Sequence, residues 1–595
     1  MFLVTSARTY LDRIDVVVAT CLAVASFILL GMASVTWYWY DWDTVFVANN
    51  LTYDHGWLWG WLTVNLTNLV VTGTYAAGYP WPFSPFEFML WLSSAFDAAS
   101  LALCYLLNKK LAGSRSWGIV GALFLAFNWS FVLAAKSGSN KAIVSFFTLL
   151  FLLVVVNARE RDELGGKHLV VVGVALGLAI SAHATNVFLV PVTLLALKDS
   201  KISLGNGNSG TPERQGPPNA NRRWRVRIKE FFHGPGARGA AVLGASSAAT
   251  FFALLLTTLF VKYGGRAWLK LFSLELRTFF QPVHRTYFEW AGSPWPISFR
   301  RHVNVWVDFW RGAAGSLYGV DPHPASREYL LLALHLLLVF VPLLLAGAVR
   351  LSRKHSWFLL LFVENLAWAF VYESYEPERW TWLALLFPTL LVAGIRSVTR
   401  RDGLGGVASK SRETSLPSET TTSSGPRGVA SQEPAIRVPS NPASHSRSSK
   451  PLAFLLVALV SFVPVAAQSP NHVQFGPEVY AFRELQAAVD RHPDYDPLII
   501  TPVPLGGTYT FGMGVVYFTN LTTFQFRYDN YIVSRADLVL LSLRENQRFF
   551  VVIYYPEIKD VLLEQFADYF ELGDAPVLSS ELGDFYLCNF TDFEL

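Results

Sequence analysis

The chain is short of the groups that soluble enzymes and secreted modules rely on. Three of its 595 residues are cysteine: Cys21, Cys104 and Cys588. Cys21 and Cys104 fall in apolar runs, so the segment after residue 467, which carries only Cys588, has no internal disulfide, and no cysteine cluster exists to hold a metal. Charged residues make up 15% of the chain against 52% hydrophobic, which excludes an ordinary soluble globular class. No Gly-rich phosphate loop occurs in the basic loops, so no nucleotide-sugar site is legible. Repeats of the solenoid or inverted-transporter kind are also missing, which counts against a transporter. The first apolar run is too long for a signal peptide and no small-residue cleavage site follows it, so it reads as an uncleaved anchor.

What is present is a succession of apolar runs of about 17 to 25 residues, the length that crosses roughly 30 Å of hydrocarbon as a helix. The pattern predicts spans at 15–37, 84–107, 117–135, 142–157, 168–186, 187–197 (short), 239–260, 328–350, 356–372, 380–395 and 451–467. The expected fold class is therefore a polytopic α-helical membrane protein with about eleven spans. The loops "NKK", "RERDELGGK", "NRRWRVRIK", "RLSRK" and "RSVTRR" are basic and alternate with base-poor loops. The positive-inside rule then puts the N-terminus in the cytoplasm and the C-terminus outside. The sequons at Asn50, Asn65, Asn520 and Asn589 fall on the outer side, in a cell membrane or an endoplasmic reticulum membrane, whereas Asn128 lies within a span.

The expected organisation is a transmembrane module over 1–395, a cytoplasmic linker over 396–450, the last span at 451–467 and an extracytoplasmic α/β domain over 468–595. Residues 198–238 and 396–450 are rich in Gly, Ser, Thr and Pro and too poor in apolar residues to offset chain entropy. Both read as disordered. In the tail, "PEVYAFRELQAAVDRH" and "PEIKDVLLEQFADYF" have helical spacing, and "PLIITPV", "ADLVLLSL", "FFVVIYY" and "GDFYLCNF" read as strands.

Three stretches carry candidate chemistry. In "WYWYDWDTVF" (37–46), Asp41 and Asp43 directly follow an aromatic belt, which puts two acids at the depth of lipid phosphates. A carboxylate there can take a proton from an attacking hydroxyl, or the pair can simply flank a span. The loop 261–327 interleaves bases with aromatics ("TYFEW", "SPWPISFRR", "VWVDFW"), as interfacial helices facing anionic lipid do. In "YESYEPERW" (372–380), the Arg379 guanidinium can grip a phosphate, with Glu376 and Glu378 orienting it or binding a divalent cation; a solvated turn is the alternative. Within the spans lie Asp97, His183, His335 and Glu364. Intramembrane ionisable groups face a bundle interior or a wet cavity. His183 is the best functional candidate of the four. Asp97 has Lys136 or Lys141 as possible partners, and His335 and Glu364 are core polar groups or a neutral pair.

Three segments resemble the GT-C superfamily of membrane glycosyltransferases, of the protein O-mannosyltransferase or RgtA-D-like type. In "GVALGLAISAHATNVFLVPVTLLAL" (173–197) a small-residue helix meets His and Thr at its end and turns back. "ERWTWLALLFPTLLVAG" (378–394) is similar to the family's Arg-Tyr-Leu-Leu-Pro-Leu-Leu-Pro helix, and "GYPWPFSPFEFMLWL" (78–92) resembles its proline-rich entry to the second span. The resemblance implies an inverting transferase that uses a polyprenyl- or dolichyl-phosphate sugar donor and a glycan or protein acceptor, with membrane lipids as its other partners and no nucleic acid. It implies a catalytic acid at Asp41 or Asp43, supporting acids at Asp54 or Glu87, and donor-phosphate binding by Arg379, His183 and Lys136. No cofactor is required by it. A transporter of anionic lipids or small anions and a non-catalytic assembly subunit are the competing readings.

Overall fold

The computed structural model describes residues 12–36, 85–136, 141–161, 163–198, 201–203, 235–266, 299–318, 327–371, 380–399, 450–467, 477–501, 519, 521–525, 528–529, 532–533, 548–553, 570–580 and 583–590. The helical part begins with α1 (Arg13–Thr36), α2 (Pro85–Ala112), α3 (Arg115–Ala126), α4 (Trp129–Lys136) and α5 (Lys141–Arg159). A short β1 (Glu163–Gly165) leads into α6 (Gly166–Ala182), a 3-10 turn over Ala184–Phe188, α7 (Leu189–Leu197) and β2 (Lys201–Ser203), which pairs in parallel with β1. Then come α8 (Pro235–Tyr263), α9 (Phe299–Tyr318), α10 (Arg327–His335) with a π turn over Leu336–Phe340, α11 (Val341–Val371), α12 (Thr381–Thr399) and α13 (Lys450–Ala467).

Among the described residues, six helical stretches are long and apolar enough to cross a membrane: Arg13–Leu30, Leu90–Ala112, Lys141–Arg159, Ala237–Thr257, Leu330–Ala369 and Thr381–Thr399. Their outward faces carry large exposed apolar side chains, among them Val17 and Leu29 on α1, Phe260 on α8, Leu338 and Leu345 on α10 and α11, and Phe454 on α13. Water would not tolerate so continuous an apolar belt, and lipid requires it. The chain is a polytopic helical membrane protein.

α12 is the hub. Every residue from Thr381 to Ile395 is buried, and the helix packs against α2, α3, α4, α5, α11 and α13. A helix that is apolar all round has no solvent face to offer, so it takes the centre. Its closest neighbour is α11, where a side chain at Gly347 or Gly394 would run into the other helix's backbone carbonyl, Leu390 O or Leu343 O. Glycine at both positions is what lets the two backbones touch. The small-residue run in α6 has the same cause: Gly177 lies against α8, where an added Cβ would sit 2.6 Å from Ser247 O.

The expected spans 328–350 and 356–372 are joined in one helix that breaks at His355, with φ −135° and ψ 54°. The two halves fold back on each other, because Phe340 and Phe362 both meet the Phe387 ring, at 5.3 and 6.3 Å. The expected span 117–135 is interrupted at Phe127–Asn128. There Asn128 is buried and its Oδ1 accepts from the Phe131 N–H at 3.3 Å, capping α4.

One end of the bundle is basic and tied by ion pairs. Asp15, fully buried in α1, accepts from Tyr105 Oη at 3.0 Å and Arg115 Nε at 2.9 Å and pairs with Lys109, while Asp12 also pairs with Arg115. Lys110 reaches Glu160 at 2.6 Å. Arg350 donates to Arg396 O at 3.5 Å. The other end carries His183, Trp380 and Trp382. There the amphipathic α9 lays its buried face (Phe309, Ala313, Ala314, Leu317, Tyr318) against the bundle, packing on α4, α11, α12 and α13. Phe309 meets Trp380 with ring centroids 4.8 Å apart.

After α13 come α14 (Pro477–Asp490) and strands β3 (Leu498–Thr501), β4 (Thr522–Gln525), β5 (Tyr528–Asp529), β6 (Ile532–Val533), β7 (Arg548–Ile553), β8 (Phe570–Leu572), β9 (Leu578–Ser580) and β10 (Gly583–Phe590). A mixed sheet runs β4-β3-β7-β10-β8, with β9 also on β10; β3 is parallel to β4 and β7, and β10 antiparallel to β7. Phe482, Leu485 and Val489 of α14 pack on Ile499, Phe550, Val552 and Phe585. The expected α14, β3, β7 and β10 are found there. The expected strand "ADLVLLSL" and nearly all of the expected helix "PEIKDVLLEQFADYF" lie outside the described residues; the last residue of that helix, Phe570, begins β8.

Candidate functional site

The site grows from the turn between α6 and α7. α6 ends at Ala182, and His183 swings into extended backbone, with φ −161° and ψ 140°. Its ring then caps the 3-10 turn: Nδ1 accepts from the Thr185 N–H at 3.2 Å and lies 2.7 Å from Thr185 Oγ1. Because Nδ1 accepts, the proton of the neutral ring sits on Nε2. Asn186 ties the turn back to α6 by donating Nδ2 to Ala179 O at 2.7 Å, while its Oδ1 takes the Thr148 hydroxyl of α5 at 3.4 Å. Trp382 of α12 meets the His183 ring edge to face, with centroids 4.9 Å apart. His183 is only 6% exposed.

A small cleft opens beside this turn, lined by Thr148, Thr185 and Asn186 on one side and Asn365 and Trp382 on the other, with an apolar remainder. No charged side chain among the described residues lines it. The Trp382 indole N–H is buried without an acceptor among the described residues.

Of the residues singled out from the sequence, His183 alone has a described side chain in this site. Asp41, Asp43, Asp54, Glu376, Glu378 and Arg379 lie outside the described residues. Glu87 is in the first turn of α2 and Lys136 ends α4, with side chains outside the description. α4 itself packs against α1, α2, α9 and α12.

Of the alternatives open for these groups, the Asp97–Lys141 pairing and the His335–Glu364 pair are not made, and the side chain of Lys136 lies outside the description. Asp97 is fully buried on α2 and neither carboxylate oxygen has a hydrogen-bond partner among the described residues, so it does not pair with Lys141. His335 does not pair with Glu364. It takes the Tyr318 hydroxyl on Nδ1 and donates Nε2 to Leu459 O at 3.3 Å, joining α9, α10 and α13, while Glu364 Oε2 stays unpartnered among the described residues. Burial pushes the Tyr318 phenol up, which keeps it protonated as the donor in that bond.

Thr148, Asn186, Asn365 and Trp382 were not foreseen. The only sequence signals for them are a polar residue in an apolar run and the second tryptophan of "ERWTW". Among the described residues, no three His, Cys, Asp or Glu side chains come together as a metal would need.

A helical membrane bundle with a buried polar turn at one end of its hub helix is the class of protein defined so far. Residues 88–203, from the first turn of α2 through β2, match the model of a family described as the protein O-mannosyl-transferase TMEM260 N-terminal domain. The His183–Asn186 turn lies inside that stretch, as does the 173–197 segment. The resemblance read from the sequence is borne out there. No curated protein sequence matches the chain at a significant level. Among solved structures, ArnT from Cupriavidus metallidurans bound to undecaprenyl phosphate is similar at 10% identity and a TM-score of 0.48, over 96% of this chain and 97% of that one. The oligosaccharyltransferase AglB from Archaeoglobus fulgidus, in complex with an inhibitory peptide and a dolichol-phosphate, is similar at 10% identity and a TM-score of 0.45, over 95% of this chain and 74% of that one.

Proposed function

We propose that the protein is an inverting glycosyltransferase that moves one hexose, mannose first among them, from a polyprenyl or dolichyl phosphate to an extracytoplasmic glycan or protein acceptor. The observation that carries this reading is the O-mannosyl-transferase family match over residues 88–203, the stretch that builds the His183–Asn186 turn. The clustering of Lys109, Lys110, Arg115, Arg350 and Arg396 at the opposite end supports a cytoplasmic basic end and a donor site on the outer side.

In this reading Asp41 or Asp43 takes the proton of the acceptor hydroxyl as its oxygen attacks the anomeric carbon. The bond from that carbon to the phosphate oxygen breaks, and the lipid phosphate departs with the electron pair, its charge met by Arg379 and Lys136. Asp54, Glu87, Glu376 and Glu378 are supporting acids. His183, with Nδ1 engaged, acts as an Nε2–H donor toward the phosphate. The α14–β10 unit, on the outer side, helps hold the acceptor.

The test is transfer from dolichyl phosphate mannose by the full chain in nanodiscs. Asp41→Asn or Asp43→Asn, whichever removes the base, is expected to lower turnover about 100- to 10,000-fold, and Arg379→Ala to raise the KM for the lipid donor. If both Asn variants insert properly and transfer at the wild-type rate, the mechanism is wrong.

A further inference from the structure

The cleft beside Trp382 contains a hydrogen-bond donor and an acceptor that the fold leaves unused. The Trp382 Nε1–H is buried on a residue 7% exposed and has no acceptor among the described residues. Asn365 donates its amide nitrogen to Leu361 O at 2.8 Å, which turns the amide oxygen the other way and leaves it without a partner among the described residues. Both side chains line the same cleft. Its floor is tied down, because Thr148 bonds to Asn186, Asn186 to Ala179 O, and Thr185 to His183. The indole is held in place by its contact with the His183 ring.

The chemistry of this cleft selects its occupant. With no charged residue among the described residues that line it, it cannot compensate a phosphate stripped of water. A donor and an acceptor lining one cleft suit a group that both accepts and donates, which a hydroxyl does. The cleft has room for a hydroxyl and not for a whole sugar ring. We infer that the cleft receives one hydroxyl of the donor sugar, which accepts from Trp382 Nε1–H and donates to Asn365 Oδ1, and so sets which hexose is transferred. This rests on the transferase reading and adds to it a division of labour: cations hold the phosphate, and a neutral notch reads the sugar.

The test uses the full chain in nanodiscs with five donors: dolichyl phosphate mannose and its 2-, 3-, 4- and 6-deoxy analogues. Binding of sugar-free dolichyl phosphate is measured alongside by thermal shift. The wild type is expected to use one deoxy analogue about tenfold less efficiently than the parent, the value of one net hydrogen bond, and the other three nearly as well as the parent. Trp382→Phe and Asn365→Leu should each lower the parent to the level of that one analogue, leave the other ratios unchanged, and bind dolichyl phosphate as the wild type does. The inference is overturned if the wild type treats all five donors alike. It is equally overturned if the variants lower all five by the same factor, as a cleft holding only a structural water would. Lipid binding and transfer without deoxy discrimination sink the notch alone, whereas absence of both sinks the transferase reading and the notch with it.

Discussion

At the basic end of the bundle Asp15 lies buried beneath Tyr105, Lys109 and Arg115, and both of its oxygens are engaged. Toward the other end lies the Trp382 indole N–H, equally buried, and between the two, on α2, the Asp97 carboxyl; neither has a partner among the described residues. Burying a polar group without a partner costs on the order of 1–3 kcal/mol. A bundle that satisfies its acids so completely at one end has the means to do so at the other. The difference is one of charge: the basic end gives its buried acid three partners, while at the His183 end the Trp382 indole N–H, the group the proposed sugar notch uses, has none among the described residues.

Three measurements bear on that contrast. The largest effect is expected for Asp15→Asn, which leaves Lys109 and Arg115 beside a neutral amide in a buried corner. The solubilised protein should unfold at a clearly lower temperature while the proposed sugar transfer, measured per folded molecule, stays at the wild-type rate. An unchanged unfolding temperature would mean that the ion pairs are incidental. A smaller effect, of opposite sign, is expected for Asp97→Asn. An amide of the same shape is less costly to bury than an unpartnered carboxyl, so the variant should melt at or above the wild-type temperature, and a marked fall would reveal a partner for the acid.

The smallest effect concerns Cys588 in β10, buried between β7 and β8. Burial pushes its thiol up, so the fold favours the protonated form. Its contribution to stability is constant below the ordinary thiol value of about 8.5 and is lost as pH rises above that. At about pH 8 the folded protein should take up no maleimide at Cys588, and denaturation should expose it. Rapid labelling of the native protein would contradict that burial.

Much of the helical frame was legible because apolar run length is a local property. The ends of α5, α8 and α13 fall within a few residues of the expected spans. The break at His355 was foreseen only as a loop, since "RLSRK" marks a turn by its charge and says nothing of helix continuing on both sides. Asn128 was rightly set apart from the other sequons, but its work as a cap depends on where α3 stops. His183 and Thr185 stood out in the sequence. Thr148 and Asn365 did not, because a threonine or asparagine in an apolar helix signals nothing until the facing helix is known. Asn186 meets Thr148 across 38 positions of chain, a distance over which periodicity carries no information. The unmade pairings, of Asp97 with Lys141 and of His335 with Glu364, have the same cause: composition names the candidates, and packing chooses among them.

The bonds that hold Asp15 reach forward 94 residues to Lys109 and 100 to Arg115. A ribosome adding about 5–20 residues per second makes those cations only some 5–20 s after the aspartate. For that interval the first helix carries an acid whose countercharges have not yet been synthesised, so it must wait near the membrane surface or be sheltered by the insertion machinery. Its final depth is settled only when the start of the third helix emerges.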